Sequence, residues 1–411
     1  TKDHENFTLV ATLDLEGTPG ETAYFTYTFD PDCTYDVGLQ KWKMGTAPAV
    51  GTTCYKLVNS SIYNVSIGGW LNVSINKPDG EYYEKYEDNV PVEFFVYDDC
   101  NYEKSGTTPT LKLINPAQTY TYYSASITDH GNGTYTYVWD PDDKGAKYGP
   151  YNVSVEVHYD GYYAPYFVGT TQVKPNAFRI QSRPQIWGPQ VSSGGDGGWG
   201  ENWIFQVYCR DEDYDNITLY LWKRKDSSSP WELVDIRYCQ SAAVDGKLIT
   251  YSARYFQCDD ITPQGEYSYW KVNTTDPWGF NQSIADQSFT IYRDDVDFYV
   301  YYPSKSVVSR EGVDNVTFKI SIKDTDRDNA PVGANVSTAL WITRDIASET
   351  GLWKLVATNL TDPNSEVTFT FDPSCEYNAS LHLWKVGTYG DECYKDANFS
   401  TSFWSDRSIF E

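Results

Sequence analysis

Two acidic stretches carry the residues best suited to chemistry. D211-E-D-Y-D-N216 and D324-T-D-R-D-N329 both read D-x-D-x-D-N, and each follows a strand-like run. Asp211, Asp213 and Asp215 thus place three carboxylates at alternate positions around a turn, and so do Asp324, Asp326 and Asp328. Such a set suits a hard cation that takes six to eight oxygens, so calcium is the ion expected. The competing reading is a solvated acidic loop.

Set against an EF-hand-type loop, the pattern matches the first half only. It lacks the glycine at position six and the glutamate at position twelve, where Trp222 and Asn335 stand. Asp98 and Asp99 carry half the pattern. Catalysis finds little support. His4, His130, His158 and His382 fall at unrelated places, and there is no G-x-S-x-G, no HExxH and no glycine-rich phosphate loop. Carboxylates are abundant enough for a glycosidase-like pair, but none stands out, and the chain reads as a non-enzyme. The aromatic runs Y120-T-Y-Y123, Y159-D-G-Y-Y-A-P-Y166 and G197-G-W-G-E-N-W203 suit sugar stacking. Packing is the commoner use of Tyr and Trp in strand proteins.

A formal net charge of −25 argues against nucleic acid and anionic membrane as partners. No apolar run reaches the roughly 18–20 residues of a membrane span, and no basic-then-apolar leader opens the sequence. The chain reads as mature material or an internal piece with no anchor of its own. Asn-x-Ser/Thr occurs at Asn6, Asn59, Asn64, Asn72, Asn132, Asn152, Asn216, Asn273, Asn281, Asn315, Asn335, Asn359, Asn378 and Asn398. That is fourteen of twenty-two asparagines, against roughly four expected from Ser and Thr content. The excess predicts N-linked glycans and an extracellular location. In N152-V-S-V155 the Asn and Ser share one strand face and the valines the other, so a glycan there points away from the core.

Eight cysteines with no CxxC metal pattern read as disulfides. Pairing within repeats predicts Cys33–Cys54 and Cys375–Cys393, each pair flanking a Trp-Lys strand. Cys239 is then the expected partner of Cys258, and Cys100 is left with Cys209.

These residues are set out by a repeat. The run FTYTFDPDC from Phe25 to Cys33 returns as FTFDPSC from Phe369 to Cys375, with weaker copies ending near Asp143 and Asp260. Its last aromatic is Phe29, Trp139, Phe256 or Phe371, at intervals of 110, 117 and 115 residues. Asp98, Asp211 and Asp324 begin acidic clusters 113 residues apart. F7-T-L-V, W231-E-L-V and W353-K-L-V recur, as do Trp42-Lys43, Trp270-Lys271 and Trp384-Lys385. A period of about 113 matches one β-sandwich rather than a solenoid repeat or propeller blade. Aromatics alternating with threonine over 25–29 give one buried and one wet face. The Asp-Pro that follows breaks the ladder. Tyr35, Tyr151, Tyr267 and Tyr377 then open the next strand, in the position of a tyrosine corner.

The fold expected is all-β, with tandem immunoglobulin-like β-sandwich domains in an elongated array. The boundaries are 1–69 for unit one, 70–173 for unit two, 174–292 for unit three and 293–404 for unit four, with 405–411 as a C-terminal extension. Linkers are expected at Pro175–Pro189 and Gly194–Gly200. Counted from 297, unit four has 56 residues (297–352) ahead of its WKLV motif, whereas unit one has six ahead of FTLV. Unit one therefore reads as a sandwich lacking its opening strands. Either the sequence is a window of a longer array, or a neighbouring copy supplies strands by donor-strand exchange. The segment from Phe403 to Phe410 is a counterpart that could join an adjacent unit.

Tandem immunoglobulin-like units, acidic balance, dense sequons and the W-K-L-V, F-D-P-x-C and L-W-K-V motifs together resemble repeat-bearing surface proteins of archaea. Methanogen surface-layer, sheath and filament proteins come closest. The resemblance is architectural and spans all four units. It implies an extracellular, N-glycosylated subunit that polymerises with itself, its joints stiffened by calcium. The alternative is a cell-surface adhesin or carbohydrate-binding stalk.

Overall fold

The computed structural model describes residues 6–14, 22, 24–46, 56–240, 245–301, 303, 307–310, 314–345, 352–398 and 408–410. Among these residues regular structure is almost entirely strand, relieved by four short 3-10 turns. No helix among the described residues is long and apolar enough to cross a membrane. The chain divides into two compact bodies, Thr1–Ser182 and Arg183–Glu411.

The first body contains unit two, a sandwich of two five-stranded sheets. One sheet runs in the order Glu81–Glu84, Thr170–Gln181, Gly149–His158, Thr108–Asn115, Gln118–Tyr123. The other runs Phe167–Val168, Gly69–Lys77, Val90–Asp98, Thr134–Trp139, Thr128–Asp129. Residues of Val90–Asp98 alternate between the core and the outer face, as a half-buried strand must. Valines, leucines and Phe94 from both sheets close one core around Trp139, Tyr151 and Phe178. The Tyr151 and Phe178 rings stack with centroids 5.0 Å apart. The Tyr151 hydroxyl donates to the Lys147 carbonyl at 2.9 Å and accepts the Lys147 N–H at 3.1 Å, the corner expected at this position.

The strand Thr170–Gln181 moves a boundary. It pairs with Gly149–His158 on one side and Glu81–Glu84 on the other, so unit two extends through Gln181 rather than stopping at 173. Pro175 suggested a linker, but it lies in a β-bulge where the register slips opposite Tyr151 and Val153. A bulge tolerates a proline because no ladder hydrogen bond is required of it.

Ahead of this sandwich, Gly38–Trp42 pairs antiparallel with Tyr63–Ile67. Phe29 meets Tyr35 edge-on at 5.0 Å, the same pairing that Phe371 makes with Tyr377 at 5.0 Å in unit four. The first copy of the motif therefore keeps the aromatic contact of the last. Residues 25–29, expected as a strand with one buried face, form no strand and remain open, whereas Glu366–Phe371 is one. Tyr27, Phe25 and Trp42 are 46%, 39% and 38% exposed, whereas Phe369, Val367 and Trp384 at the matching positions are 3%, 2% and 8% exposed.

The second body holds units three and four. In unit three, Gln185–Val191, Trp203–Arg210 and Lys247–Ala253 form one sheet. The opposing sheet runs Asp196–Gly198, Gln287–Tyr292, Ser268–Thr275, Ile217–Arg224, Glu232–Cys239, and Asn281–Ser283 adds to Ser268–Thr275. Trp203, Phe205 and Trp270 fill the core. Tyr267 is exposed and makes no corner. The inward position belongs to Ser268, whose hydroxyl meets Thr262 Oγ1 at 2.7 Å and donates to the Lys225 carbonyl at 2.9 Å. Gly194–Gly200, expected as a linker, is part of this unit, and Asp196–Gly198 pairs parallel with Gln287–Tyr292.

In unit four, Val316–Asp324 lies between Val296–Val300 and Glu366–Phe371, with Ala330–Pro331 added to its end. Facing it, Ser337–Thr343 pairs with Trp353–Leu360 and Trp384–Thr388. Ser408–Phe410, expected to extend toward an adjacent unit, inserts instead between Val307–Val308 and Ser380–His382 of its own unit.

The disulfides differ from all four expected pairings. Cys33 joins Cys100, Cys209 joins Cys239, and Cys258 joins Cys393. Cys375 is a free, exposed thiol, and Cys54 lies outside the described residues. Cys209–Cys239 ties the strand Trp203–Arg210 to the strand Glu232–Cys239 of the opposing sheet, inside the core. Cys258–Cys393 staples unit three to unit four. Pairing by repeat position failed because bridges that join sheets or successive units owe nothing to the internal period.

Candidate metal centre

Asp98, Asp211 and Asp324 occupy one structural position, at or just beyond the end of an inner strand. Each accepts the N–H two residues on: Cys100 at 2.9 Å, Asp213 at 3.2 Å and Asp326 at 3.1 Å. The repeated aspartate is thus first a turn former. All three are buried, and their charges are handled differently.

Asp98 meets Lys104 Nζ at 2.7 Å, and Oδ1 also accepts the Tyr102 N–H at 2.8 Å. Asp99 accepts the Trp70 N–H at 3.3 Å, and the neighbouring Cys100 sulfur is in a disulfide. This cluster is balanced by its own lysine. In unit three the expected triad does not converge. Asp211, Asp213 and Asp215 do not form a close ligand group among the described residues, and Asp215 accepts the Trp278 indole N–H. Nearby Asp276 accepts N–H groups of Trp278 and Phe280 at 2.8 and 2.9 Å, and burial raises its carboxyl above the usual range.

Unit four gathers a different set from the one its spacing suggests. Asp324 and Asp326 come together with Asp294, and one carboxylate oxygen of each lies within 4.8 Å of one from each of the others. Asp328, the third member expected, turns away. It pairs with Arg254 at 2.9 Å, and its side chain is 85% exposed. A left-handed backbone at Asp328 and Asn329, with φ 58° at each, carries the chain out of the site.

Asp294 sits between units three and four. Its backbone N–H donates to the Cys393 carbonyl at 2.9 Å, and its carbonyl accepts the Lys395 N–H at 3.0 Å. The side chain is 0% exposed, and neither carboxylate oxygen has a hydrogen-bond partner. Oδ2 of Asp326 is likewise buried and unpartnered. Asp324 is better supplied, since Oδ1 accepts N–H from Asp326 and Arg327 and Oδ2 accepts the Tyr394 hydroxyl at 3.3 Å. Burial, then the carboxyl groups of Asp326 and Asp324, push the Asp294 carboxyl far above the carboxylate range.

The walls are specific. Gly198 and Gly200 approach the Asp294 carboxylate so closely that a methyl group on either would collide with it. Between them Trp199 is buried, donates its indole N–H to the Cys393 carbonyl at 2.8 Å and meets Tyr394 edge-on at 5.8 Å. The run G197-G-W-G-E-N-W203 is therefore wall and core rather than a sugar platform. Asp294 was missed in the sequence because it lies outside the D-x-D-x-D-N run. The available signals were the Asp294-Asp295 pair at a unit boundary and the glycines flanking Trp199.

The described histidines hold structural positions. His130 meets Thr136 Oγ1 at 2.9 Å, His158 lies 3.5 Å from Asp160, and both ring nitrogens of buried His382 face backbone carbonyls. Of the other aromatic runs, Tyr120 is core and Tyr122 packs on Tyr137 at 4.4 Å, while Tyr123, Tyr162 and Tyr163 are exposed. All fourteen sequon asparagines fall on described residues, eleven of them exposed and three, Asn72, Asn152 and Asn273, half-buried.

No protein-family model matches this chain, and no curated protein does. Similar solved structures include the native conformation of E. coli alpha-2-macroglobulin, at 12% identity and TM-score 0.20, covering 91% of this chain and 27% of that one. Trypsin-activated alpha-2-macroglobulin from Escherichia coli gives 12% identity and TM-score 0.19, covering 85% and 26%. Dimeric latent PorU from Porphyromonas gingivalis gives 12% and 0.17, covering 82% and 35%. The chain thus spans about a quarter to a third of those proteins, and likeness at this level carries no argument about function.

Proposed function

We propose that the chain is an extracellular, N-glycosylated structural subunit that assembles with copies of itself into a surface filament, sheath or surface layer. The observation that carries this reading is the open face of unit one. Tyr27, Phe25 and Trp42 stand in water where the same positions of unit four are core. Phe7, Leu9 and Val10 of the same unit are exposed as well. Apolar surface left in water costs about 25 cal/mol per Å². Any strand or face packed over it relieves that cost, and in this reading a second copy supplies it. Three disulfides among the described residues fit an oxidising compartment. Fourteen sequon asparagines, none buried, fit a glycosylated surface.

Sedimentation velocity and electron microscopy of the full chain test the reading. The expected outcome is a mass that grows with concentration and a repeating contact at unit one. Tyr27→Asp with Trp42→Asp should return monomer without changing the melting of units two to four. A chain that stays monomeric at every concentration sinks the proposal. One observation favours the adhesin alternative. Tyr162 and Tyr163 are exposed and packed on Tyr159, Tyr166 and Phe167, a ring surface on which sugars could stack. An adhesin would bind a glycan array through these rings while remaining monomeric.

A further inference from the structure

We propose that Asp294, Asp324 and Asp326 bind one calcium ion, which pins the segment joining units three and four to the loop after strand Val316–Asp324. The proposal holds whether or not the chain assembles with copies of itself.

The argument begins with Asp294. A carboxylate with no exposed surface and no hydrogen bond to either oxygen is a costly arrangement in a folded protein. Here it faces two further carboxylates within 4.8 Å, one of which, Asp326, also has an unpartnered buried oxygen. Buried charge of one sign persists when a countercharge is present.

The nearby protein cations leave the site without a direct ion pair, although the charge of Arg327 reaches Asp324. Lys395 pairs with Asp295 at 2.9 Å, Arg293 with Asp396 at 3.1 Å and Arg254 with Asp328 at 2.9 Å. Arg327 lays its guanidinium over the Trp199 ring, 5.4 Å from the centroid. None of the four makes an ion pair with Asp294, Asp324 or Asp326 among the described residues. This is the contrast with unit two, where Lys104 neutralises Asp98 directly.

The donor set decides the class of ion. Carboxylate oxygens alone suit a hard cation. The nearest sulfurs, in Cys258 and Cys393, are joined in a disulfide and cannot serve zinc as thiolates. Magnesium keeps several waters in near-octahedral order. A buried site walled by Gly198, Gly200 and Trp199, with ligands from separate segments, better suits the irregular shell of calcium.

The test uses the full chain, stripped of divalent ions, with calcium chloride as the probe. Calorimetric titration and thermal melting are followed together. Terbium luminescence sensitised by Trp199 and Tyr394 reports occupancy, and its loss in Asp326→Asn assigns that emission to this site. The expected result is a melting temperature that rises with calcium and terbium emission that calcium displaces. Asp294→Asn and Asp326→Asn should each weaken calcium binding at least tenfold, while Asp328→Asn changes it less than twofold. Asp326 is only partly buried, so its variant keeps the test open if Asp294→Asn fails to fold. Calcium affinity unchanged in Asp326→Asn would overturn the proposal, as would melting that ignores both calcium and chelator. Magnesium displacing terbium as well as calcium does would overturn the choice of ion.

Discussion

A single aspartate position, repeated through the sandwiches, shows how one turn former acquires different charge environments. In unit two, Lys104 stands 2.7 Å from the nearly buried Asp98 carboxylate. Removing one partner of such a pair strands the other charge in a low-dielectric site, a loss of about 3–5 kcal/mol. Lys104→Met is therefore expected to destabilise the first body by about 3 kcal/mol in urea unfolding. Adding Asp98→Asn should recover most of that loss, since the amide oxygen can still accept the turn N–H groups. The pair Arg254–Asp328 has the same short distance, 2.9 Å, with side chains 43% and 85% exposed. Solvent screens it, so Arg254→Ala should cost less than about 1 kcal/mol. Equal losses from Lys104→Met and Arg254→Ala would show that burial is not what gives the first pair its weight.

At the scale of strands and staples, local pattern was legible in the sequence and long-range partnership was not. The acidic runs read as following strands, and the 113-residue period placed Asp98 and Asp324 at equivalent strand ends, whereas the alternation over 25–29 forms no strand. The tyrosine corner was readable at Tyr151, but Tyr267 misled because the inward register of Ser268–Thr275 starts one residue later. A slip of one residue turns every side chain to the opposite face. Pro175 read as a break because nothing local distinguishes a bulge from a linker. Asp294 joined the acidic site from outside its motif, which only the packing of unit three on unit four could reveal. The cysteines make the same point. Cys258–Cys393 closes a separation of 135 residues, for which loop entropy alone gives about 5 kcal/mol. Cys209–Cys239 closes 30. Non-reducing peptide mapping should recover both links, together with Cys33–Cys100. Cys258→Ser with Cys393→Ser should destabilise the second body by about 2–5 kcal/mol. Recovery of a Cys375–Cys393 peptide instead would return the pairing to the repeat-based scheme.

Over the whole molecule, the same all-β architecture that makes rigid sandwiches also leaves strand edges that another chain can extend. The distribution of sequons bears on this hazard. Among the described residues, Asn281–Ser283, which carries Asn281, pairs only with Ser268–Thr275, and Trp353–Leu360, which carries Asn359, only with Ser337–Thr343. Tyr63–Ile67, which carries Asn64, pairs there only with Gly38–Trp42. All three asparagines are exposed. A glycan at an edge obstructs sideways pairing, whereas one on a central strand such as Gly149–His158 obstructs only the sheet face. Net charge of −25 adds a repulsion that salt screens, so the edges are least protected at high ionic strength. The prediction concerns chain made in a host that glycosylates these sites. Asn64→Gln, Asn281→Gln and Asn359→Gln together should raise light scattering severalfold in high salt. Asn72→Gln, Asn152→Gln and Asn273→Gln together, on strands paired on both sides, should leave it near the parent level. Equal scattering from the two triple variants would mean that the glycans act through bulk solubility, and that guarding of the edges falls to charge alone.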